Sequence, residues 1–340
     1  MPSSEIRTTA RASIDVDVLA CPACKGKLGP EAKTLVCAEK NGCGARYPIE
    51  KGIPKLRTDL DTASEEVRAF YTIAPFPGYP PTESLSSLRR KAERSDLARL
   101  LDHAIPGDAT VVEIGCGTGQ MSLFLARADR RVFACDMTRA SLELGREAAT
   151  RFGVSQIQFV ETDLRSPGLR EGAFDVVYTS GVLHHTEDPR ASFRTVAKLV
   201  KPGGIVVLGL YNAYGRFPHR LRRVVARMTK NKFIPFDPVL RDRAAEPARR
   251  EAWLRDQYMH PLEHRHTIAE VQRWFRENGI EYVRSFPNTL IGAEPLQEDE
   301  LFVPAEDDWG FENVLAQLGW AFTTSHEGGL FVVIGRRARA

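Results

Sequence analysis

The sequence predicts an α/β chain: a parallel sheet covered on both faces by helices, with a small cysteine-rich module in front. Three observations predict it. Short, wholly apolar runs alternate with helical periods from about residue 97 to 210. A glycine triplet sits at the join between the first such run and the helix after it. Four cysteines with paired spacing lie near the N-terminus.

The elements follow in order. Residues 1–13 read as a polar tail. Residues 14–58 form the cysteine module, with strand pieces at Leu35-Val36 and Tyr47-Pro48-Ile49. A helix is expected after Asp61, over residues 59–69. The stretch Tyr71–Pro81 holds four prolines, a glycine and three aromatics, so it is expected to be irregular yet packed. Strands are expected at Thr110–Ile114, Arg131–Cys135, Ile157–Val160, Phe174–Tyr178 and Ile205–Leu210, the last after a turn at Lys201-Pro202-Gly203-Gly204. Helices are expected at Met121–Arg127, Ala140–Phe152 and Arg190–Val200. A late helix, Thr267–Asn278, ends at Gly279. Strands at Glu281–Phe286 and Leu330–Gly335 bracket an acidic insertion, 294–308, and a helix near Asn313–Gly319.

Composition sets the frame. With 340 residues, 43% hydrophobic and 27% charged, the chain can bury a sizeable core and divide into two domains. A net charge of +3 gives no global case for a polyanionic partner. No run of about 18 apolar residues appears, and residues 1–12 lack an apolar signal core, so a cytoplasmic protein without a transmembrane segment is expected. In a reducing compartment, clustered cysteines point to metal rather than disulfides.

The triplet Gly115, Gly117 and Gly119 lets the backbone approach a ligand closely. On its own it fits a tight turn, a dinucleotide site or another nucleoside site. Glu113, at the end of the preceding strand, disfavours a pyrophosphate and suits a ligand with cationic groups. Asp136 ends the second strand, where a carboxylate can take both hydroxyls of a ribose. Asp163-Leu164 ends the third, where a carboxylate and a backbone N–H can read an adenine edge. The fourth strand leads into Ser180-Gly181-Val182-Leu183-His184-His185.

This series, from about Leu97 to Leu210, resembles the class I S-adenosylmethionine (SAM)-dependent methyltransferases, in particular the type 11 group. The resemblance implies a Rossmann-like, seven-stranded sheet with its last strand antiparallel. It also implies that Glu113, Gly115, Cys116, Gly117, Gly119 and Gln120 form the SAM loop. Gly115 and Gly117 would face the methionine part. Asp136 would hold the ribose and Met137 would pack on the adenine. Asp163 and Leu164 would read the adenine edge, and Ser180 and Gly181 would line the sulfonium end.

Cys21 and Cys24 form a C-x-x-C pair, followed by Cys37 and Cys43. Four thiolates at this spacing suit a tetrahedral, structural Zn²⁺ with no open ligand position. So small a module has too little core to fold unaided. Residues Leu19–Leu56 resemble the Trm112-like zinc ribbons, whose members partner methyltransferases. The expected domains are a ribbon at 14–58, a linker and lid at 59–96, and a methyltransferase domain at 97–340 with insertions 212–266 and 287–328 capping the pocket.

Methyl transfer is an in-line displacement on carbon, so alignment supplies much of the catalysis and a base is needed only for a protonated acceptor. His185 and His260 are the candidate bases. Tyr71, Tyr79, Tyr258 and His264 are candidate substrate contacts, the two early tyrosines through a lid formed by Tyr71–Pro81. The cluster Tyr258, His260, Glu263, His264 and His266 also has spacing that could hold a second metal.

Residues 216–232 hold Arg216, Arg220, Arg222, Arg223, Arg227, Lys230 and Lys232 and no acid, with Leu221, Val224, Val225 and Met228 on one helical face. Such a helix fits phosphates, an anionic membrane, an acidic small molecule or a solvated cap. Transfer to a small-molecule acceptor is the leading expectation. An RNA methyltransferase binding through the ribbon and the basic helix is the alternative. A SAM-binding domain that only serves a partner is the third reading. The sequence sets neither the acceptor atom nor the oligomeric state.

Overall fold

The structure is a computed structural model. It describes residues 14–38, 42–59, 62–73, 75, 78–230, 233–237, 240, 247–260, 262–289, 294–305, 310–323 and 329–339. The polar tail at 1–13 and Lys232 lie outside these residues. Among the described residues no helix is long and apolar enough to cross a membrane.

Seven strands make the central sheet. In spatial order they are β7 (Ile157–Thr162), β6 (Arg131–Asp136), β5 (Thr110–Ile114), β8 (Phe174–Ser180), β9 (Val200–Tyr211), β11 (Leu330–Arg337) and β10 (Ile280–Phe286). The pairs from β7 to β9 are parallel, and β11 runs antiparallel to both its neighbours. The expected sheet, with its last strand antiparallel, is therefore observed. Around it lie helices α1 (Thr62–Ile73), α2 (Leu85–Ala92), α3 (Asp96–Ala104), α4 (Gln120–Leu125), α5 (Arg139–Phe152), α6 (Pro189–Ala197), α7 (Phe217–Met228), α8 (Pro247–Leu254), α9 (Ile268–Glu277) and α10 (Phe311–Thr323).

Wholly apolar strands fit a sheet buried on both faces. Val112 and Ile114 of β5 join Phe193, Trp274 and Phe275 in one core, and Val111 joins Leu100, Leu101 and Phe124 in the other. Two sequence expectations change. Lys201–Gly204 is not a turn before β9 but part of it, and the register against β8 shifts there. Tyr71–Ile73 is not irregular: it is the last turn of α1.

The cysteine module is a four-stranded antiparallel meander: β1 (Leu28–Glu31), β2 (Thr34–Cys37), β3 (Arg46–Glu50) and β4 (Ile53–Leu56). It does not hang from a linker. β4 pairs in parallel with β7, Lys55 with Glu161 and Leu56 with Thr162, so the sheet runs on to eleven strands. Arg139 on α5 ties the seam, donating to the carbonyls of Glu50 (2.8 Å) and Ile53 (3.2 Å) and pairing with Glu161 (3.1 Å). Arg57 holds the other oxygen of Glu161 at 2.7 Å. Leu56 is fully buried at the seam, and Gly168 leaves room for its side chain. Leu56→Ala is expected to cost about 2–5 kcal/mol in urea unfolding, the range for emptying a packed leucine site. A module docked only loosely would show almost no change.

Candidate active site and cysteine centre

The C-terminal ends of β5, β6, β7 and β8 open into one cavity of ≈ 430 Å³, at the place where ligands settle in open α/β sheets. Its wall includes Glu113, Gly115, Cys116, Gly117, Gln120, Asp136, Met137, Asp163, Leu164, Ser180 and Gly181, together with Tyr71 and His185.

The glycine loop is built for that wall. Gly115, Gly117 and Gly119 all have left-handed φ, of 74°, 55° and 78°. A Cβ on Gly115 would lie 2.3 Å from Val182 Cγ2, so the close approach of the two loops requires glycine. Gly119 stands behind the wall. It caps α4, and a Cβ there would press on Phe159.

Both oxygens of Asp136 accept backbone N–H groups, from Gly117 (2.9 Å) and Thr138 (2.7 Å). Burial raises its pKa and those N–H groups oppose the rise. Glu113 is buried deeper and accepts from Ser122 Oγ. Burial pushes its carboxyl up to about 7, and the Asp136 charge adds to this against the Ser122 hydrogen bond. Asp163 is engaged with its own neighbour: Arg165 Nη2 donates to it at 2.6 Å and the Arg165 N–H at 3.0 Å. A ligand reading Asp163 must share it with that guanidinium.

At the β8 end, Leu183–His185 form a short 3₁₀ turn that is wholly buried except at the cavity edge. His185 Nδ1 lies 2.7 Å from the Leu262 carbonyl oxygen. A carbonyl only accepts, so Nδ1 carries the proton and Nε2 is the basic nitrogen. His260 Nδ1 meets the same oxygen at 2.6 Å, and its ring packs on His185 with centroids 3.8 Å apart. The His184 ring stacks on Tyr211 at 3.9 Å, and burial holds its pKa well below the ordinary imidazole range.

Four sequence candidates stand outside the cavity wall. His260 packs behind His185 and against Tyr71. Tyr79 turns away, its hydroxyl donating to the Thr118 carbonyl at 2.9 Å, so it braces the glycine loop from outside. Tyr258 donates to Asp237 and rests on His219. His264 contributes a backbone N–H to the His184 carbonyl at 2.8 Å. Tyr71, as expected, lines the cavity, and with it Val67, four residues earlier on α1, and Arg255 and Leu262 from the cap. Val67 was readable from its spacing to Tyr71. Arg255 and Arg165 carried no sequence signal.

The cap is anchored by a buried ion pair. Arg216 is fully buried and bonds Glu263 (2.9 Å) and Gln257 (2.6 Å), with its guanidinium 3.7 Å over the Tyr211 ring. Arg223 also bonds Glu263 (2.9 Å) and the His260 carbonyl (2.7 Å). Burial pushes the Glu263 carboxyl up, but Arg216 and Arg223 outweigh it and hold it below the ordinary range. Glu263 thus serves arginines. Among the described residues, the cysteines are the one group placed to hold a metal, and the histidine segment is not.

The cysteine Sγ atoms all lie within 4.8 Å of one another, with Cys21–Cys43 at 3.5 Å and Cys24–Cys37 at 3.4 Å. Sulfurs of a tetrahedral zinc site at ~2.3 Å from the metal stand about 3.8 Å apart, so the residues fit the ion. N–H groups of Cys43 and Gly26 pull the Cys24 thiol down to about 6, and Tyr47 Oη lies 3.1 Å from Cys21 Sγ.

Comparison with known proteins agrees with this geometry. Residues 112–208 match the family described as a methyltransferase domain, and residues 16–52 match Trm112p-like protein. The chain joins a Trm112-like domain to a SAM-dependent methyltransferase domain. Its relatives include a tRNA 5-carboxymethoxyuridine methyltransferase of Escherichia coli, 29% identical over 50% of this chain and 66% of that one. A ubiquinone biosynthesis O-methyltransferase of Cronobacter sakazakii is 30% identical over 47% of this chain and 63% of that one. The matches thus span a little under two thirds of these relatives. PKMT2 from Rickettsia typhi, solved in complex with AdoHcy, shares the fold with a TM-score of 0.53 and 14% identity, over 78% of this chain and 55% of that one.

Two outcomes follow. Gly115→Ala is expected to weaken SAM binding about tenfold or more in calorimetry, from the Val182 clash and the left-handed backbone. Val182→Ala in the same chain should recover part of the loss. Folded Glu113 ionises near 7, against an ordinary 4.5. Between those values the folded state holds the extra proton, so Glu113 makes stability fall as pH rises from 4.5 to 7. In Glu113→Gln that contribution, at most about 3 kcal/mol, should vanish from urea unfolding measured across this range.

Proposed function

We propose that this enzyme transfers the methyl group of SAM to a small-molecule acceptor held beneath the cap formed by 212–266; among the described residues of 287–328 none lines the cavity. SAM, when bound, supplies a methyl group on a good sulfonium leaving group. Gly115, Gly117 and the loop around them seat its methionine part, Asp136 takes the ribose hydroxyls, and Met137 packs on the adenine. Asp163 and Leu164 read the adenine edge, and Ser180 and Gly181 line the sulfonium end. His185 takes the acceptor's proton at Nε2. His260 acts through His185 by packing on it.

The observation that carries this reading is the roof. Val67 and Tyr71 from α1 and Arg255 and Leu262 from the 212–266 segment line the same cavity as the glycine loop and, in this reading, form its roof. A compact molecule fits under that roof better than a folded polynucleotide does. The charge of the 216–232 segment points the same way. Two of its arginines, Arg216 and Arg223, are spent on Glu263 and are unavailable to phosphates. The Escherichia coli relative keeps tRNA as the alternative acceptor.

The decisive assay offers methyl-labelled SAM with a metabolite extract or with total tRNA. Label in a small molecule, with turnover insensitive to salt, supports the reading. Label in tRNA, with binding that weakens steeply with salt, overturns it. His185→Asn should lower turnover at least tenfold with SAM affinity unchanged, the range of a lost general base. An unchanged rate would mean the acceptor needs no base.

We assign the cysteine cluster to a structural Zn²⁺ held by Cys21, Cys24, Cys37 and Cys43. The purified chain should contain about one zinc per molecule by mass spectrometry under native conditions. Stripping it with a chelator should lower the melting temperature, and zinc should restore it. A zinc-free chain with the same melting curve would contradict the assignment.

A further inference from the structure

Helix α7 is amphipathic in the reverse sense from an ordinary surface helix. Its buried residues are His219 and Ala226, which face the cap. Phe217, Leu221, Val224 and Met228 lie within an arc of roughly 60° on the opposite side, by 3.6-residue periodicity. Their exposures are 55%, 55%, 52% and 80%. The chain continues outward with Phe233, 59% exposed and tied to the helix end through Thr229, and Phe236, 93% exposed. Isolated apolar residues on a surface are ordinary, but six large ones in twenty positions are not.

The charge around the stripe has a single sign. Arg220 and Arg227 lie on its flank and Lys230 follows the helix, all exposed, and 216–236 holds no acid. The first acid beyond is Asp237, which is buried and bonded to Tyr258. We infer that the outer face of α7, with Phe233 and Phe236, is a docking surface for an anionic lipid bilayer. The apolar side chains enter the acyl boundary while the arginines and the lysine meet the headgroup charge.

Other occupants fit less well. A polyanion such as RNA would use the cations but leave the phenylalanines and Met228 in water. A second copy of this chain, packed about a twofold axis, would bring Arg220 and Arg227 against their own equivalents. The apolar and cationic parts are satisfied together by a negatively charged membrane. The inference does not depend on the acceptor. The face is one layer from the cavity, since α7 holds Glu263 and the His260 carbonyl on its inner side and Leu262 lies between them.

Co-sedimentation of the full chain with vesicles tests it. One set is phosphatidylcholine alone and the other carries about one third phosphatidylglycerol. Binding is expected to the second set and to fall at least tenfold on the first. Leu221→Ser with Met228→Ser should lose binding at least tenfold, and Arg220→Gln with Arg227→Gln should lose several-fold. These positions are exposed and outside the site, so SAM affinity should be unchanged and shows that the variants are folded. Four results would overturn the proposal: no binding to either vesicle, equal binding by the serine variant, a dimer in sedimentation that the serine variant dissolves, or tRNA binding lost in the glutamine variant while vesicle binding persists.

Discussion

The ion pair between Arg216 and Glu263 is the constraint on which the acceptor side of the site depends. A guanidinium with no exposure is costly to bury, and its cost is offset only by complete pairing. Here it has Glu263, Gln257 and the Tyr211 ring. Glu263 and Gln257 come from the cap and Tyr211 from the end of β9. The pair closes the cap on itself, and Arg216, packed over Tyr211, fastens it to the sheet beside His184, whose ring stacks on the same tyrosine. Leu262, next to Glu263, then presents its carbonyl to both His185 and His260. One buried charge pair thus sits beside the carbonyl that holds the proton on Nδ1 of His185. Removing one partner from such a pair typically costs about 3–5 kcal/mol, because the other is left buried and alone.

The donor side rests on a different principle. It is held by the backbone: three left-handed glycines and N–H groups on Asp136 fix the loop without side chains in the way. Glu113 lies beneath, buried with its pKa raised, and ready to favour a cationic ligand once ionised. The ribbon is part of the same sheet through β4 and β7, so it braces the edge strand whose end carries Asp163. The fused Trm112-like domain is structurally an extension of the methyltransferase sheet.

The donor side was legible because strand ends are legible. An apolar run stops, and the polar residue at its end is Glu113, Asp136 or Asp163, in an order that a parallel sheet brings to one edge. The cysteine spacing was legible for the same local reason. The acceptor side was not. Arg216 and Glu263 are 47 residues apart with no period between them. Seven basic residues in a row of seventeen read as one surface, whereas Arg216 and Arg223 turn inward and Phe217, Leu221, Val224 and Met228 turn out. Tyr79 had the right type and place for a lid, yet a hydrogen bond to Thr118 turns it outward. The seam of β4 with β7 was hidden because β4 is four residues long and contains a proline.

The central claim is that the anchored cap fixes His185 with its proton on Nδ1. Long-range ¹H–¹⁵N spectra of protein labelled at histidine read this directly, with His185→Asn identifying the signal. At a pH where the ring is neutral, the account predicts the Nδ1–H tautomer in the native chain and a mixture in Glu263→Gln. An Nε2–H tautomer at His185 in the native chain would contradict it.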